Sequence, residues 1–148
     1  MINKILSIQK IKQEKELILK SEKEMCMPLL TDFSQIPVIY KWFKAFMNKR
    51  NRSFNQRAVD QRKEFLFVVL YLFAPASMVG YKMPNGLRAK IAKTLHVQQH
   101  CSLSVYCEDL IFLFQNCNGF KRDIEEVLQF VCTKLKLTKE IAYEKDDV

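Results

Sequence analysis

The chain has 148 residues, with 24 Lys or Arg against 16 Asp or Glu, and it carries a formal charge of +8. Hydrophobic residues make up 49% of it, which excludes a wholly disordered basic tail and is enough for the core of one domain. Only 3 Gly and 4 Pro occur, too few for a sandwich or barrel of many hairpins, so we predict an all-α, compact bundle of five to six helices.

Residues 1–30 predict an N-terminal amphipathic helical arm. Ile and Leu are interleaved with Lys and Glu as far as Leu19, although the pattern lapses around residues 12–16. Pro28 is expected to end this helix. Two interpretations are open: the arm packs on its own domain or on a dimer partner, or it docks in a groove of another protein. Residues 1–27 are therefore the predicted surface for a homodimer or a protein partner.

Residues 31–137 predict the main helical domain. Its first helix is expected to begin near Asp32 or Ser34, with Pro37 in the first turn, where the missing N–H of proline does no harm. The next helix, about 58–73, starts polar and becomes apolar on every face. That pattern is typical of a central helix.

The second half of this domain predicts three more helices. Pro75 ends the central helix, and 74–86 is expected to be a loop or a broken turn. One helix then begins near Gly86, and another covers about 102–116. A turn is predicted at Asn118-Gly119, and a charged tail at 138–148. The last helix has apolar residues at helical spacing, namely Phe120, Ile124, Val127, Leu128, Val131 and Leu135.

The segment 86–116 has the pattern of a helix-turn-helix. Its first helix repeats Leu87, Ile91 and Leu95, with Ala92 as the small residue at a helix crossing. His96-Val97 occupies the turn. Leu103 or Val105 is expected to anchor the second helix, which Leu110, Phe112 and Leu113 continue into the core.

This segment resembles the Leu-x3-Ile-Ala-x2-Leu-Gly-Val pattern of bacterial helix-turn-helix proteins, including the DNA-binding helices of sigma-like factors. His96 stands where that pattern has Gly, and His tolerates a positive φ better than a β-branched residue. The longer stretch 62–124 is similar to small proteins of bacterial mobile elements and phages, through Lys82-Met83-Pro84-Asn85-Gly86-Leu87-Arg88.

The resemblance implies a small, non-enzymatic protein that binds double-stranded DNA in transcription regulation or in a mobile-element or phage DNA transaction. Polar residues at the start of the second helix would contact bases or phosphate: Gln98, Gln99, His100, Ser102 and Ser104. Cations of the preceding turn and helix would contact phosphate: Lys82, Arg88, Lys90 and Lys93.

A secondary basic patch would add attraction that falls with salt: Lys49, Arg50, Arg52, Arg57, Arg62 and Lys63. Residues 32–63 hold a net +6 of the total charge, whereas the second helix of the motif contains Glu108 and Asp109 and no cation from 98 to 115. The alternative hypothesis is therefore a simple helical hairpin in a non-enzymatic, helical protein–protein interaction module or oligomerising accessory protein.

Other classes of function find little support in the sequence. His96, His100, Cys101 and Cys107 lack the spacing of a structural zinc site, and no catalytic motif or cofactor loop is present. The apolar stretch 65–81 is shorter than a membrane span and is interrupted by Pro75, so no membrane insertion is expected. An odd number of cysteines without a signal peptide predicts a reducing cytoplasm.

Overall fold

The computed structural model describes residues 1–50, 55, 58–97 and 102–136. These residues form six α-helices and two short 3-10 segments, and none of them is in a strand. The predicted all-α class is thus confirmed. The helices are α1 (Ile2–Met25), α2 (Ile36–Lys49), α3 (Val59–Phe73), α4 (Leu87–Leu95), α5 (Ser102–Asn116) and α6 (Asn118–Leu135).

Helix α3 is the centre of the bundle, as its all-round apolar sequence predicts. Every residue from Phe65 to Leu70 is buried, and α2, α5 and α6 all contact this helix. The ring of Tyr40 in α2 lies 4.8 Å from Phe65, and Phe114 in α5 stacks at 5.2 Å on Phe67. Since both faces of α3 are covered, it has no solvent-facing polar stripe.

Helices α2 and α6 follow their sequence periodicity. The apolar positions of α6 that recur every three or four residues are buried or half-buried in the core. In α2, Pro37 lies in the first turn, as predicted. The start predicted near Asp32 or Ser34 is a 3-10 segment, Phe33–Gln35, that leads directly into α2.

The turn predicted at Asn118-Gly119 is wrong, because these two residues are the first of α6. The break is the single residue Cys117, which is extended at φ −117° and ψ 103°. Its N–H donates to the carbonyl of Leu113 (2.9 Å), and its own carbonyl accepts from the N–H of Lys121 (3.0 Å). One residue therefore ends α5 and starts α6, which leaves no room for a separate turn.

The segment predicted as a loop at 74–86 is partly helical. Pro75–Val79 forms a 3-10 segment that ends at Gly80, whose φ of 102° is left-handed. The N–H of Tyr81 then donates to the carbonyl of Ala76 (3.2 Å). This segment packs against α3 and α5.

Helix α1 is continuous through 12–16, where the apolar pattern lapses, and it ends three residues before Pro28. None of its residues is buried. The chain joins the core just beyond it, because the N–H groups of Leu29 and Leu30 both donate to the carbonyl of Leu72 (3.0 and 2.9 Å). Among the described residues, no helix combines the length and the apolar composition that crossing a membrane requires.

Candidate functional site

The ends of α4 are defined by two left-handed residues. Gly86 precedes the helix at φ 86°, and His96 follows it at φ 56°. The N–H of His96 donates to the carbonyl of Lys93 (3.3 Å) and that of Val97 to Ala92 (3.0 Å), which is the bonding pattern of a Schellman motif. His96 thus occupies the backbone conformation for which helix ends usually select glycine, as the sequence comparison with the bacterial motif anticipated.

The anchor of α5 is Leu103, which is fully buried, whereas Val105 is 55% exposed. Leu110, two turns further on, is also buried. The prediction that Phe112 enters the core is wrong, because its side chain is 66% exposed. Two residues beyond Leu110 the helix has turned by about 200°, so Phe112 lies on the opposite side of α5.

The structure brings two of the predicted DNA-contacting residues together. Arg88, in the first turn of α4, donates from Nη1 to the Oγ of Ser104 in α5 (2.7 Å). Lys82 and Lys93 are exposed, and Lys90 is half-buried. The start of α5 therefore lies beside Arg88 of α4.

Lys90 also lies close to Asp32, at the opening of α2. The Oγ and backbone N–H of Ser34 donate to the Asp32 carboxylate (2.7 and 3.0 Å), and together with the charge of Lys90 they hold its pKa below the usual value. The positive charge of Lys90 is therefore partly opposed by a neighbouring acid.

Several predicted site residues lie outside the described part of the chain. They are Gln98, Gln99 and His100 at the proposed recognition end, and Arg52 and Arg57 in the basic patch. Ser102 begins α5, but its side chain is also outside the described atoms. The predicted base contacts of these residues stay predictions.

The exposed face of α5 is apolar and acidic. Val105, Glu108 and Phe112 follow one another at spacings of three and four residues, and all three side chains are exposed. This face has no lysine or arginine to attract phosphate.

Two cations of the secondary patch are engaged within the bundle. Arg50 forms ion pairs with Asp123 (2.9 Å) and Glu126 of α6, and its guanidinium lies 5.1 Å from the ring centroid of Phe46. Lys63 of α3 pairs with Asp109 of α5 (3.0 Å). Both cations therefore connect neighbouring elements of the bundle.

Arg50 and Lys90, one described member of each predicted basic region, lie at opposite ends of α2. Arg50 follows the last residue of α2, whereas Lys90 lies near Asp32 before its first residue. A helix of the length of α2 spans about 21 Å. Of the other patch members that are described, Lys49 is exposed and Arg62 is half-buried.

A cleft of about 800 Å³ lies where the start of α3 meets the α5–α6 junction. Its charged lining includes Arg50, Lys63 and Asp123, which form ion pairs between elements of the bundle. Cys117 lies exposed at this cleft. Elsewhere in α5, burial raises the pKa of the half-buried Cys107 thiol. The charge of Arg88 opposes this rise, and the charge of Glu108 adds to it. Among the described side chains, no three His, Cys, Asp or Glu come together to hold a metal.

A second cleft, of about 650 Å³, lies between the C-terminal part of α1 and the Pro75–Val79 segment, and it was not predicted from the sequence. The hydroxyl of Tyr81 donates to Glu22 across it. The remaining lining is mostly apolar: Leu17, Ile18, Met25, Pro75, Ala76 and Val79. The run of apolar residues at 17–19 was its only signal in the sequence.

No protein-family model matches the chain, and neither a curated protein nor a solved structure matches it significantly.

Proposed function

We propose that the protein is a non-enzymatic helical interaction module that assembles with a protein partner through α1. The observation that carries this proposal is the exposure of apolar side chains along that helix, none of which is buried. Nine large apolar residues of α1 are more than half exposed: Ile2, Ile5, Leu6, Ile8, Ile11, Leu17, Ile18, Leu19 and Met25.

Helices in water derive most of their stability from packing an apolar face against another surface. Apolar exposure on this scale is typical of a protein contact. The outward face of α5, with Val105 and Phe112 exposed beside Glu108, supports the same class of partner. The ion pairs of Arg50 and Lys63 also make the basic patch less available to nucleic acid.

Removal of residues 1–27 tests this function. We expect the truncated chain to lose its association, measured as mass by light scattering and as proteins that co-purify with the full chain. Its thermal unfolding should stay cooperative, since Leu29 and Leu30, which bond to α3, are retained.

The matched control is the full chain with Lys20→Gln and Lys23→Gln, which keeps every apolar residue of α1. This variant should associate like the parent chain. The proposal would be contradicted if the full chain is monomeric and co-purifies with the same proteins as the truncated chain.

DNA binding is the second candidate, and the contact between Arg88 and Ser104 is the observation that favours it. It unites residues predicted to contact phosphate and bases at the start of α5. Substitution of the exposed Lys82 and Lys93 by Ala should weaken binding to duplex DNA uniformly and reduce the salt slope by about 2.

The control for that measurement is Lys121→Ala, which removes an exposed cation from α6. It should leave the salt slope near that of the parent chain. Equal slopes for both variants, or no affinity even at low salt, would exclude this second function.

A further inference from the structure

Two sets of positions at seven-residue spacing run along α1 and its N-cap Met1, and five of their eight side chains are apolar. One set of positions is Met1, Ile8, Lys15 and Glu22, and the other is Lys4, Ile11, Ile18 and Met25. Residues at these spacings form the contact seam when two helices coil around each other. We refer to these eight positions as the α1 seam.

The charges in the α1 seam select the direction of pairing. In a parallel pair each seam residue faces its own copy, which would place Lys4, Lys15 and Glu22 each opposite a like charge. In an antiparallel pair the two sets face each other. With Ile8 opposite Ile18 of the second copy, Lys4 then faces Glu22 and Met1 faces Met25.

The wider distribution of charge favours the same direction. All four acidic residues of α1 lie between positions 14 and 24, whereas positions 1–13 contain only basic charges, Lys4, Lys10 and Lys12. Antiparallel pairing therefore sets a purely basic half against the half that contains the acids. Parallel pairing would set the two basic halves against each other.

The second cleft supplies the place for the incoming helix. The three C-terminal seam residues, Ile18, Glu22 and Met25, all line it, opposite the Pro75–Val79 segment. The residues that face them in the antiparallel register are Ile8, Lys4 and Met1 of the second copy. An apolar cleft with one acidic group thus meets an apolar segment with one cation.

We propose that two copies of this chain pair through antiparallel α1 helices, and that the N-terminal half of each α1 fills the α1 cleft of the other. The contact is two-fold symmetric and self-complementary, as closed dimers require. This inference rests on the proposed function and names its partner as a second copy.

Charge reversal in the full chain tests the register. Lys4→Glu places two acids together at both ends of the pair and should weaken dimerisation about tenfold in sedimentation equilibrium. Adding Glu22→Lys to that variant should restore the affinity of the parent chain. Lys41→Glu, the same charge change at an exposed position of α2, should have a much smaller effect.

Two further controls isolate the seam contact from other effects. Tyr81→Phe removes the hydroxyl that donates to Glu22, so the dimer affinity of this variant gives the effect of losing that hydrogen bond alone. Circular dichroism checks that each variant keeps its helical content, which we expect because no residue of α1 is buried in the core. If Lys4→Glu leaves the affinity unchanged, or if the reversed pair fails to restore it, the antiparallel register is wrong.

Cysteine trapping gives an independent readout. Under mild oxidation, Ile8→Cys mixed with Ile18→Cys should form a disulfide-linked heterodimer. Each variant alone should give no more disulfide-linked dimer than the parent chain, which serves as the blank. Crosslinking of either variant with itself would indicate parallel pairing and overturn the proposal.

The outcomes separate this inference from the proposed function. A full chain that is monomeric at every concentration, yet co-purifies with another protein only when residues 1–27 are present, overturns the dimer and keeps the interaction module. If the full chain shows no association that depends on α1, both the dimer and the interaction module are overturned.

Discussion

At the scale of single residues, α4 is bounded by two backbone positions of the same handedness but different chemistry. Gly86 and His96 both have positive φ, at 86° and 56°. A residue with a Cβ in this region costs about 1–2 kcal/mol, which glycine avoids. The sequence places glycine at the first position and a strained histidine at the second.

These two positions predict substitutions of opposite sign. His96→Gly should raise the free energy of unfolding by about 0.5–1 kcal/mol, because it relieves the left-handed conformation of the helix end. Gly86→Ala should lower it by about 1 kcal/mol, although no atom lies within 4 Å of the added Cβ. Urea unfolding measures both, and effects of equal sign would refute the backbone argument.

At the scale of elements, sequence periodicity predicts which segments are α-helices, whereas local hydrogen bonds decide the residues at which these helices begin and end. The interior of α6 was predictable from its repeating apolar residues, but its first residue was not. A single extended residue, Cys117, replaces the turn that Asn118-Gly119 suggested. Ahead of α2, the Asp32 side chain caps the 3-10 segment Phe33–Gln35 by accepting hydrogen bonds from Ser34.

The Asp32 bonds predict a pH dependence. Because they lower the pKa of this carboxyl in the folded chain, their stabilisation is present above the usual value of 3.8 and is lost as the pH falls through the lowered pKa. Asp32→Asn should therefore be less stable than the parent chain at neutral pH, and the difference should shrink as the pH falls below about 4. Denaturant unfolding at several pH values measures this, and a difference that is constant with pH would contradict it.

At the scale of the whole molecule, charged side chains that the sequence suggests are free to bind a polyanion form ion pairs between elements of the bundle. Arg50 connects the end of α2 to Asp123 and Glu126 of α6, and Lys63 connects α3 to Asp109 of α5. The net charge of +6 in residues 32–63 is therefore less free to attract a polyanion than the sequence alone indicates.

Removal of the Arg50 ion pairs should affect stability. We expect Arg50→Ala to lower the free energy of unfolding by about 1–3 kcal/mol, because the Asp123 carboxylate is buried and loses a charged donor. Lys41→Ala, which removes an exposed cation from the same helix, should change it by less than about 0.5 kcal/mol. Chemical denaturation measures both, and similar values for the two variants would show that the ion pair contributes little.

The sequence by itself determined the helical class, the central place of α3 and the apolar face of α6, because these depend on composition and on the 3.6-residue period. The left-handed site at His96 was anticipated only through the resemblance to the bacterial helix-turn-helix pattern, which has Gly at that position. Only the tertiary structure decided that Leu103 and not Val105 anchors α5, and that Phe112 is exposed.

It also decided which cations are engaged and where the cleft beside α1 lies. Such choices depend on which side of a helix meets its neighbours and on contacts between residues far apart in the chain. Arg50 and Asp123 are 73 positions apart and meet at 2.9 Å. Local periodicity contains no information about that distance.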